Sequence, residues 1–183
     1  MESESFYNTP YRTRNSGSFD IGVRQLSLGI GFPNTLYENQ SFLNHTADTR
    51  TSGFGPLMFK YELGISDEIG LGIVGEFAAK TWRYHTGDEF TDKAYGLGIS
   101  LLGYYHFNKF IPIRQLDVYA GTGVNVNHSS LKRNYFPSEK EVNVSLAGVV
   151  GARYHFTDQF GFYGEFGRTS FSWVNLGFTL RYQ

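Results

Sequence analysis

The chain has 183 residues, which bounds it to about one domain, and no cysteine, which removes disulfide frameworks and thiol chemistry. Its formal net charge of -1 excludes a general polyanion binder such as a nucleic-acid-coating protein. A chain only 40% hydrophobic that still carries 17 Phe, 13 Tyr and 22 Gly favours strands and turns over helices.

No apolar run of about 18 residues is present, so no transmembrane helix is encoded. The opening MESESFYNTP lacks the basic region and apolar core of a signal peptide, and a signal removed from the chain is expected. Residues 1–18 are polar and aperiodic and predict a flexible leader; residues 19–183 predict one barrel domain.

From there two-residue alternation dominates. The first run, about 20–32, places Leu26, Leu28, Ile30 and Phe32 on one face, with its least regular point at Val23-Arg24-Gln25, where a bulge would reset the parity. A long polar loop, 33–54, leads to a second run, 55–66, with Leu57, Phe59, Tyr61, Leu63 and Ile65 in register. A tight turn at 66–68 joins it to a third run, 69–82, carrying Ile69, Leu71, Ile73 and Phe77. A second long loop, 83–93, precedes the fourth run, 94–107, with Tyr95, Leu97, Ile99, Leu101, Tyr105 and Phe107. After a medium turn, 108–115, the fifth run, 116–127, carries Leu116, Val118, Val124 and Val126. The third long loop, 128–140, leads to the sixth run, 141–156, with Val142, Val144, Leu146, Val150, Tyr154 and Phe156. A tight turn at 157–159 and a short connection at 169–172 frame the seventh run, 160–168, with Phe160, Phe162 and Phe166, and the eighth, 173–183, with Val174, Leu176, Phe178, Leu180 and Tyr182. Long and short connections alternating over an even number of strands predict an all-β, eight-stranded antiparallel up-and-down barrel.

Such a barrel can be soluble, with a lipocalin-like apolar interior that binds a ligand, or transmembrane, with the apolar face against lipid; a soluble sandwich shares the alternation. Three observations favour the transmembrane solution. The apolar face carries more large side chains than an eight-stranded interior holds. The opposite face carries Ser27, Gly29, Gly72, Gly98, Gly121, Gly151 and Gly177, which suits a crowded lumen better than a wet strand surface, because glycine weakens strands. Within the belt of the second to eighth runs the apolar face carries no charge, with Arg168 beyond Phe166 at the rim, and the charges lie on that same glycine-rich face: Lys60, Lys80, Arg153 and Arg181 against Glu62, Glu76, Asp117 and Glu165. Facing lipid at the midplane each would cost about 2–4 kcal/mol; facing inward they can pair. Arg153 and Glu165 flank the 157–159 turn at a spacing that permits a direct or diagonal pair.

With this pattern the chain resembles the small eight-stranded outer-membrane barrels of Gram-negative bacteria, the OmpX-like proteins and the transmembrane domain of OmpA. The resemblance spans about 20–183 and is most specific at WVNLGFTLRYQ, which looks like a C-terminal barrel-assembly signal, although Gln183 follows Tyr182 where an aromatic usually closes it. YHFNKF (Tyr105 to Phe110) and YHFTDQF (Tyr154 to Phe160) look like periplasmic turns flanked by an aromatic girdle of Tyr105, Phe107, Tyr154, Phe156, Phe160 and Tyr182. The resemblance implies the outer membrane of a Gram-negative bacterium.

Residues with chemical potential are sparse. His128 and Ser130, with Glu139 and Glu141 nearby, resemble the His, Ser and acid set of PagL-like lipid A deacylases, although that set belongs nearer the C-terminus. His45, His85, His106, His128 and His155 show no metal-ligand spacing, and His106 and His155 read as hydrogen-bonded lumen residues. No glycine-rich string has a phosphate-loop context, so no cofactor is expected. LKRNYF (Leu131 to Phe136) is a basic and aromatic patch at a loop tip, within reach of lipopolysaccharide phosphates. The reading that fits best is a non-enzymatic outer-membrane barrel with a filled, salt-bridged lumen, structural or interactive in role. Its partners would be outer-membrane lipid and lipopolysaccharide, and other outer-membrane proteins or surface ligands met through loops 33–54, 83–93 and 128–140. A lipid A hydrolase using His128 and Ser130, and a soluble lipocalin-like barrel, are the alternatives.

Overall fold

The structure, a computed structural model, describes residues 18–37, 49–86, 88–111, 113–134 and 136–182. The leader apart from Ser18, His45 and the tip of the first long loop lie outside the described residues. Eight strands follow in chain order: β1 (Arg24–Phe32), β2 (Thr49–Gly64), β3 (Ile69–Thr86), β4 (Asp88–His106), β5 (Leu116–Lys132), β6 (Glu139–His155), β7 (Phe160–Arg168) and β8 (Val174–Tyr182). Each pairs antiparallel with its sequence neighbour, and β1 pairs with β8, closing the barrel.

The register fixes the barrel's shape. Starting at His155 of β6, paired residues run Gly161, Thr179, Ser27, Lys60, Val74, Ser100 and Asn125, and return to β6 at Ser145. The path comes back ten residues from its start (155 − 145), a shear of ten over eight strands. That shear tilts the strands by about 40° and leaves an interior only wide enough for side chains.

The pleat follows from this narrow bore. Large apolar residues stand outward and exposed on every strand: Leu28, Phe59, Ile73, Leu101, Val126, Leu146, Phe162 and Phe178 among them. This overturns the soluble alternative, because a lipocalin-like barrel would hold these side chains inside. Interior glycines face the rings that fill the lumen. A Cβ added at Gly72 or Gly121 would come within 2.7 or 2.6 Å of the Tyr104 ring. The tyrosine occupies the space that two missing side chains leave.

Three local expectations are corrected. Val23 and Gln25 both point inward and Arg24 outward, so parity runs through without a reset. The register shift lies instead in β2, between Phe54 and Leu57, where Gly55 takes a positive φ of 80° and Pro56 has no amide to donate to the ladder. Two of the three long loops are largely strand. Residues 83–86 and 88–93 continue β3 and β4 as a hairpin in unbroken register from Arg83↔Thr91 to Thr86↔Asp88, and 128–132 with 139–140 extend β5 and β6. Of the first loop, 49–54 belongs to β2. Polar residues in these stretches are strand residues projecting above the apolar band, where the outer face no longer has to be apolar.

Val150 stands outward, 55% exposed, midway along the apolar face of β6 between Val142 and Phe156. Val150→Arg is expected to destabilise the barrel by about 2–4 kcal/mol, measured by denaturant unfolding in phospholipid vesicles. Unchanged stability would mean that this face does not meet hydrocarbon.

Candidate functional site

The lumen is filled in three tiers. At the turn end Glu62, Asp117, Arg153 and His106 form a closed ring of four side chains, all buried. Arg153 donates from Nη1 to Asp117 Oδ2 at 3.1 Å and from Nη2 to Glu62 Oε2 at 2.5 Å. The other oxygen of each carboxylate meets His106: Asp117 Oδ1 lies 2.7 Å from Nδ1, and Glu62 Oε1 lies 2.7 Å from Nε2. Each imidazole contact needs one proton. With two N–H groups on the ring, or one with a protonated carboxyl, the four groups sum to zero charge, the condition under which such a cluster is tolerated in a dry interior. Phe19 covers the ring of four, stacked on His106 at 3.4 Å and 7°.

Next to it, Lys60 pairs with Glu165, which also accepts a hydrogen bond from the Tyr119 hydroxyl at 2.8 Å. The Lys60 ammonium sits 5.0–5.6 Å from the Tyr104, Tyr119 and Tyr163 rings, and the Arg153 guanidinium lies 4.1 Å from the Tyr119 centroid. Met58, Val74, Leu102, Ala147 and Val149 pack with Tyr104 and Tyr119 as an apolar layer. At the loop end Leu36, Trp82, Tyr84, Leu131 and Phe171 form a second apolar cluster inside the barrel mouth.

Of the eight charges expected in the lumen, the structure therefore brings Lys60, Glu62, Asp117, Arg153 and Glu165 together, with His106 as an added member. Arg153 and Glu165 stand diagonally, opposite Tyr163 and Gly151, but do not pair: Arg153 meets Asp117, directly opposite on β5, and Glu62 across the lumen, and Glu165 meets Lys60 across it. The hydrogen bonds of the remaining three go to chain ends and loops. Glu76 accepts from the Thr169 hydroxyl and from the amides of Ser170 and Phe171 at 2.9 and 3.0 Å, drawing residues 169–172 into the mouth. Lys80 reaches the carbonyls of Asn34 and Leu36 at 3.5 and 3.4 Å. Arg181 donates to the carbonyls of Ser18 and Asp158 at 2.7 and 3.0 Å. Ser18, assigned to the leader by sequence, is buried at the turn end of the barrel.

His155 points inward and is buried, but its ring nitrogens meet no partner among the described residues. Among those residues no group of three His, Cys, Asp or Glu side chains is arranged to hold a metal. His128 and Ser130 share the outer face of β5, opposite Val142 and Lys140, whereas Glu139 and Glu141 sit at inner-face positions opposite Leu131 and Ser129. The pleat parts the acid from the other two groups of a hydrolase triad. The LKRNYF patch is divided too: Leu131 is inside, Lys132 outside, and Arg133 bonds Glu139 at 3.2 Å.

The residues assigned to the aromatic girdle stand at the turn end. Tyr105 meets Phe107 edge-on at 5.2 Å, and Tyr154 meets Phe156 at 5.6 Å. Phe156 continues through Phe160 and Phe162 to Phe178 as one ring-to-ring chain. Tyr182 is exposed at the end of β8.

A closed barrel of eight antiparallel strands, apolar outside and filled inside, agrees with a match to the outer membrane protein beta-barrel domain over residues 15–179. The chain belongs to that family. It is an outer-membrane barrel of the Gram-negative type, with the start of β1, the end of β8 and the short turns at one end and the tall hairpins at the other. OprG from Pseudomonas aeruginosa has a similar fold, with a TM-score of 0.59 at 14% identity over 92% of this chain and 99% of that one. Ail from Yersinia pestis, in complex with the heparin analogue sucrose octasulfate, superposes with a TM-score of 0.50 at 14% identity over 88% of this chain and 99% of that one. No curated protein matches the chain.

Removing Arg153 leaves Glu62 and Asp117 buried against one imidazole. Arg153→Met is expected to cost about 3–5 kcal/mol of unfolding free energy. Adding Glu62→Gln and Asp117→Asn to Arg153→Met should recover a large part of that loss. A triple variant no more stable than the single one would show that the ring is not held by charge compensation.

Proposed function

We propose that this protein is a non-enzymatic interaction protein of the outer membrane, a sealed scaffold that presents its loop end to a partner. The observation that carries this reading is the filled lumen. Two apolar layers and a neutralised ring of charges, with Phe19 across the turn end, occupy the bore from mouth to mouth. A pore selective for one ion sign would carry a ring of that sign; here both signs are paired. Exposed segments on a rigid scaffold are where recognition concentrates, and here these are the tall β3–β4 and β5–β6 hairpins and the first loop. The partner classes this surface suits are outer-leaflet glycolipid, other outer-membrane proteins and ligands outside the cell.

Two measurements test the reading. In planar bilayers the purified protein is expected to give no large, stable single-channel current, and such currents would end the sealed-scaffold idea. Mass spectra of lipid A from cells with and without overexpression are expected to coincide; a lost acyl chain would restore a hydrolase that assembles its acid from elsewhere.

A further inference from the structure

The lipid-facing side of β6 to β8 is apolar but not level. Three register rows cross it. The row nearest the turns sets Tyr154 opposite Phe162 and Phe162 opposite Phe178. The next sets Ala152 opposite Gly164 and Gly164 opposite Leu176, and the third sets Val150 opposite Phe166. Ala152 and Gly164 are thus the floor of a depression. Exposed rings stand below it, Val150 and Phe166 above it, and Leu176 beside it. The depression belongs to a groove of about 520 Å3 in the barrel wall, which runs from Leu116 to Phe178. An acyl chain lies along the membrane normal, whereas this depression is closed both above and below. Its shape is that of a socket for one bulky group arriving from the side.

The same face carries such a group. Phe178 is half exposed, with its ring against Phe162 at 4.5 Å and Phe160 at 5.5 Å. Its depth in the membrane matches the socket. Each step along a register row from β6 towards β8 climbs a little over one residue towards the loop end (ten over eight strands). Leu176, two steps from Ala152, therefore stands about two and a half residues above it. Phe178, two residues nearer the turns on β8, returns to the level of Ala152 and Gly164.

Socket and ring therefore lie side by side at one depth. Two copies in one membrane keep the same end outward, so the two-fold relating them runs along the membrane normal and preserves depth. Set between socket and ring, over Phe162 and Leu176, that axis delivers the Phe178 ring of each copy to the socket of the other. The turns below are complementary as well. Exposed Arg114 precedes β5, exposed Asp158 joins β6 to β7, and neither forms an ion pair with a described residue. The same axis turns the Arg114 side of one copy towards the Asp158 side of the other. Within lipid, apolar surfaces gain nothing by leaving apolar surroundings, and association rests on close packing of this kind.

We propose that the β6–β8 face is a contact between two copies of this chain in the membrane, with Phe178 of each seated on Ala152 and Gly164 of the other. The contact lies in the apolar belt and is independent of what the loop end binds.

The chain has no cysteine, so an introduced thiol reports this contact alone. In phospholipid vesicles Leu176→Cys, beside the axis, is expected to give a disulfide-linked dimer on mild oxidation. Ile73→Cys, exposed at the same depth on β3, is expected to give none. Energy transfer between full chains labelled at Ser138→Cys, followed as lipid is added, measures the affinity. Ala152→Leu with Gly164→Leu, which fills the socket, and Phe178→Ala, which removes the ring, should each weaken association by about ten-fold. Gly75→Leu, at an outward position with open space around it, should leave association unchanged. Heat modifiability on gels shows that each variant is folded. Three results would overturn the contact: a chain that stays monomeric at every lipid ratio, as it would with acyl chains in the socket; equal cross-linking through both thiols; or undiminished association of the socket-filled variant.

Discussion

Within hydrocarbon no water is present to take up an unpaired amide, so a sheet that crosses a membrane must close upon itself. Closure with eight strands and a shear of ten leaves a bore of side-chain width. The other structural features answer to that bore. Bulk is displaced outward, where lipid accepts it, and the inner positions are left to glycine, serine and alanine, interrupted by a few rings large enough to reach across. Tyr104 lies against Gly72 and Gly121, and Tyr119 lies close to where a Gly151 Cβ would stand. The aromatic and glycine excess of the composition thus comes from one geometric cause.

The interior charges divide by position. In the middle and toward the turn end they compensate one another, and Glu62 and Asp117 each split their two oxygens between Arg153 and His106. Nearer the mouths they hold chain: Glu76 fixes residues 169–171, Lys80 the carbonyls of Asn34 and Leu36, and Arg181 that of Ser18. A charge buried near an opening has irregular backbone within reach, and irregular backbone has unpaired amides and carbonyls to offer. Deeper in, every backbone group is used by the ladder and only side chains remain as partners.

Strand number, pleat direction and the inward set of charges were legible in the sequence because the two-residue period and the composition of each face state them directly. The partners of those charges were not. Arg153 and Glu165 are neighbours by register, yet Glu165 reaches Lys60 across the lumen and Arg153 divides its guanidinium between Asp117, its register partner on β5, and Glu62 across the lumen; cross-lumen distance depends on the shear, which no local pattern encodes. His106 was placed on the inner face, but its position between two carboxylates emerges only when β2, β4 and β5 close around it. The hairpin tops misled for a different reason. Residues 83–93 and 128–140 are polar on the outer face and carry only isolated apolar residues such as Tyr84 and Leu131 on the inner one, so the apolar alternation that marks the belt is lost although the strand persists. Reading them as loops hid the outward parity of Arg83, Lys93 and Lys132.

That parity gives the tall wall its meaning. β1, β7 and β8 have nine residues each, with their loop-side ends near the apolar band at Phe32, Arg168 and Val174, whereas β2 to β6 run on for 16 to 19 residues. Extending strands beyond the membrane costs chain entropy without further burial in lipid, so the extension needs its own source of stability. On the inner side Trp82, Tyr84 and Leu131 close over Leu36 and Phe171. On the outer side Arg50 faces Arg83 and Lys93 faces Lys132, and each pair of like charges adds repulsion. A sheet carrying that arrangement is stable only to the extent that the inner cluster outweighs the repulsion. The inner cluster therefore does for the upper wall what lipid does for the belt below it: Trp82 on β3, Ala94 on β4 and Leu131 on β5 bury one another's surface and hold the three strands together beyond the apolar band.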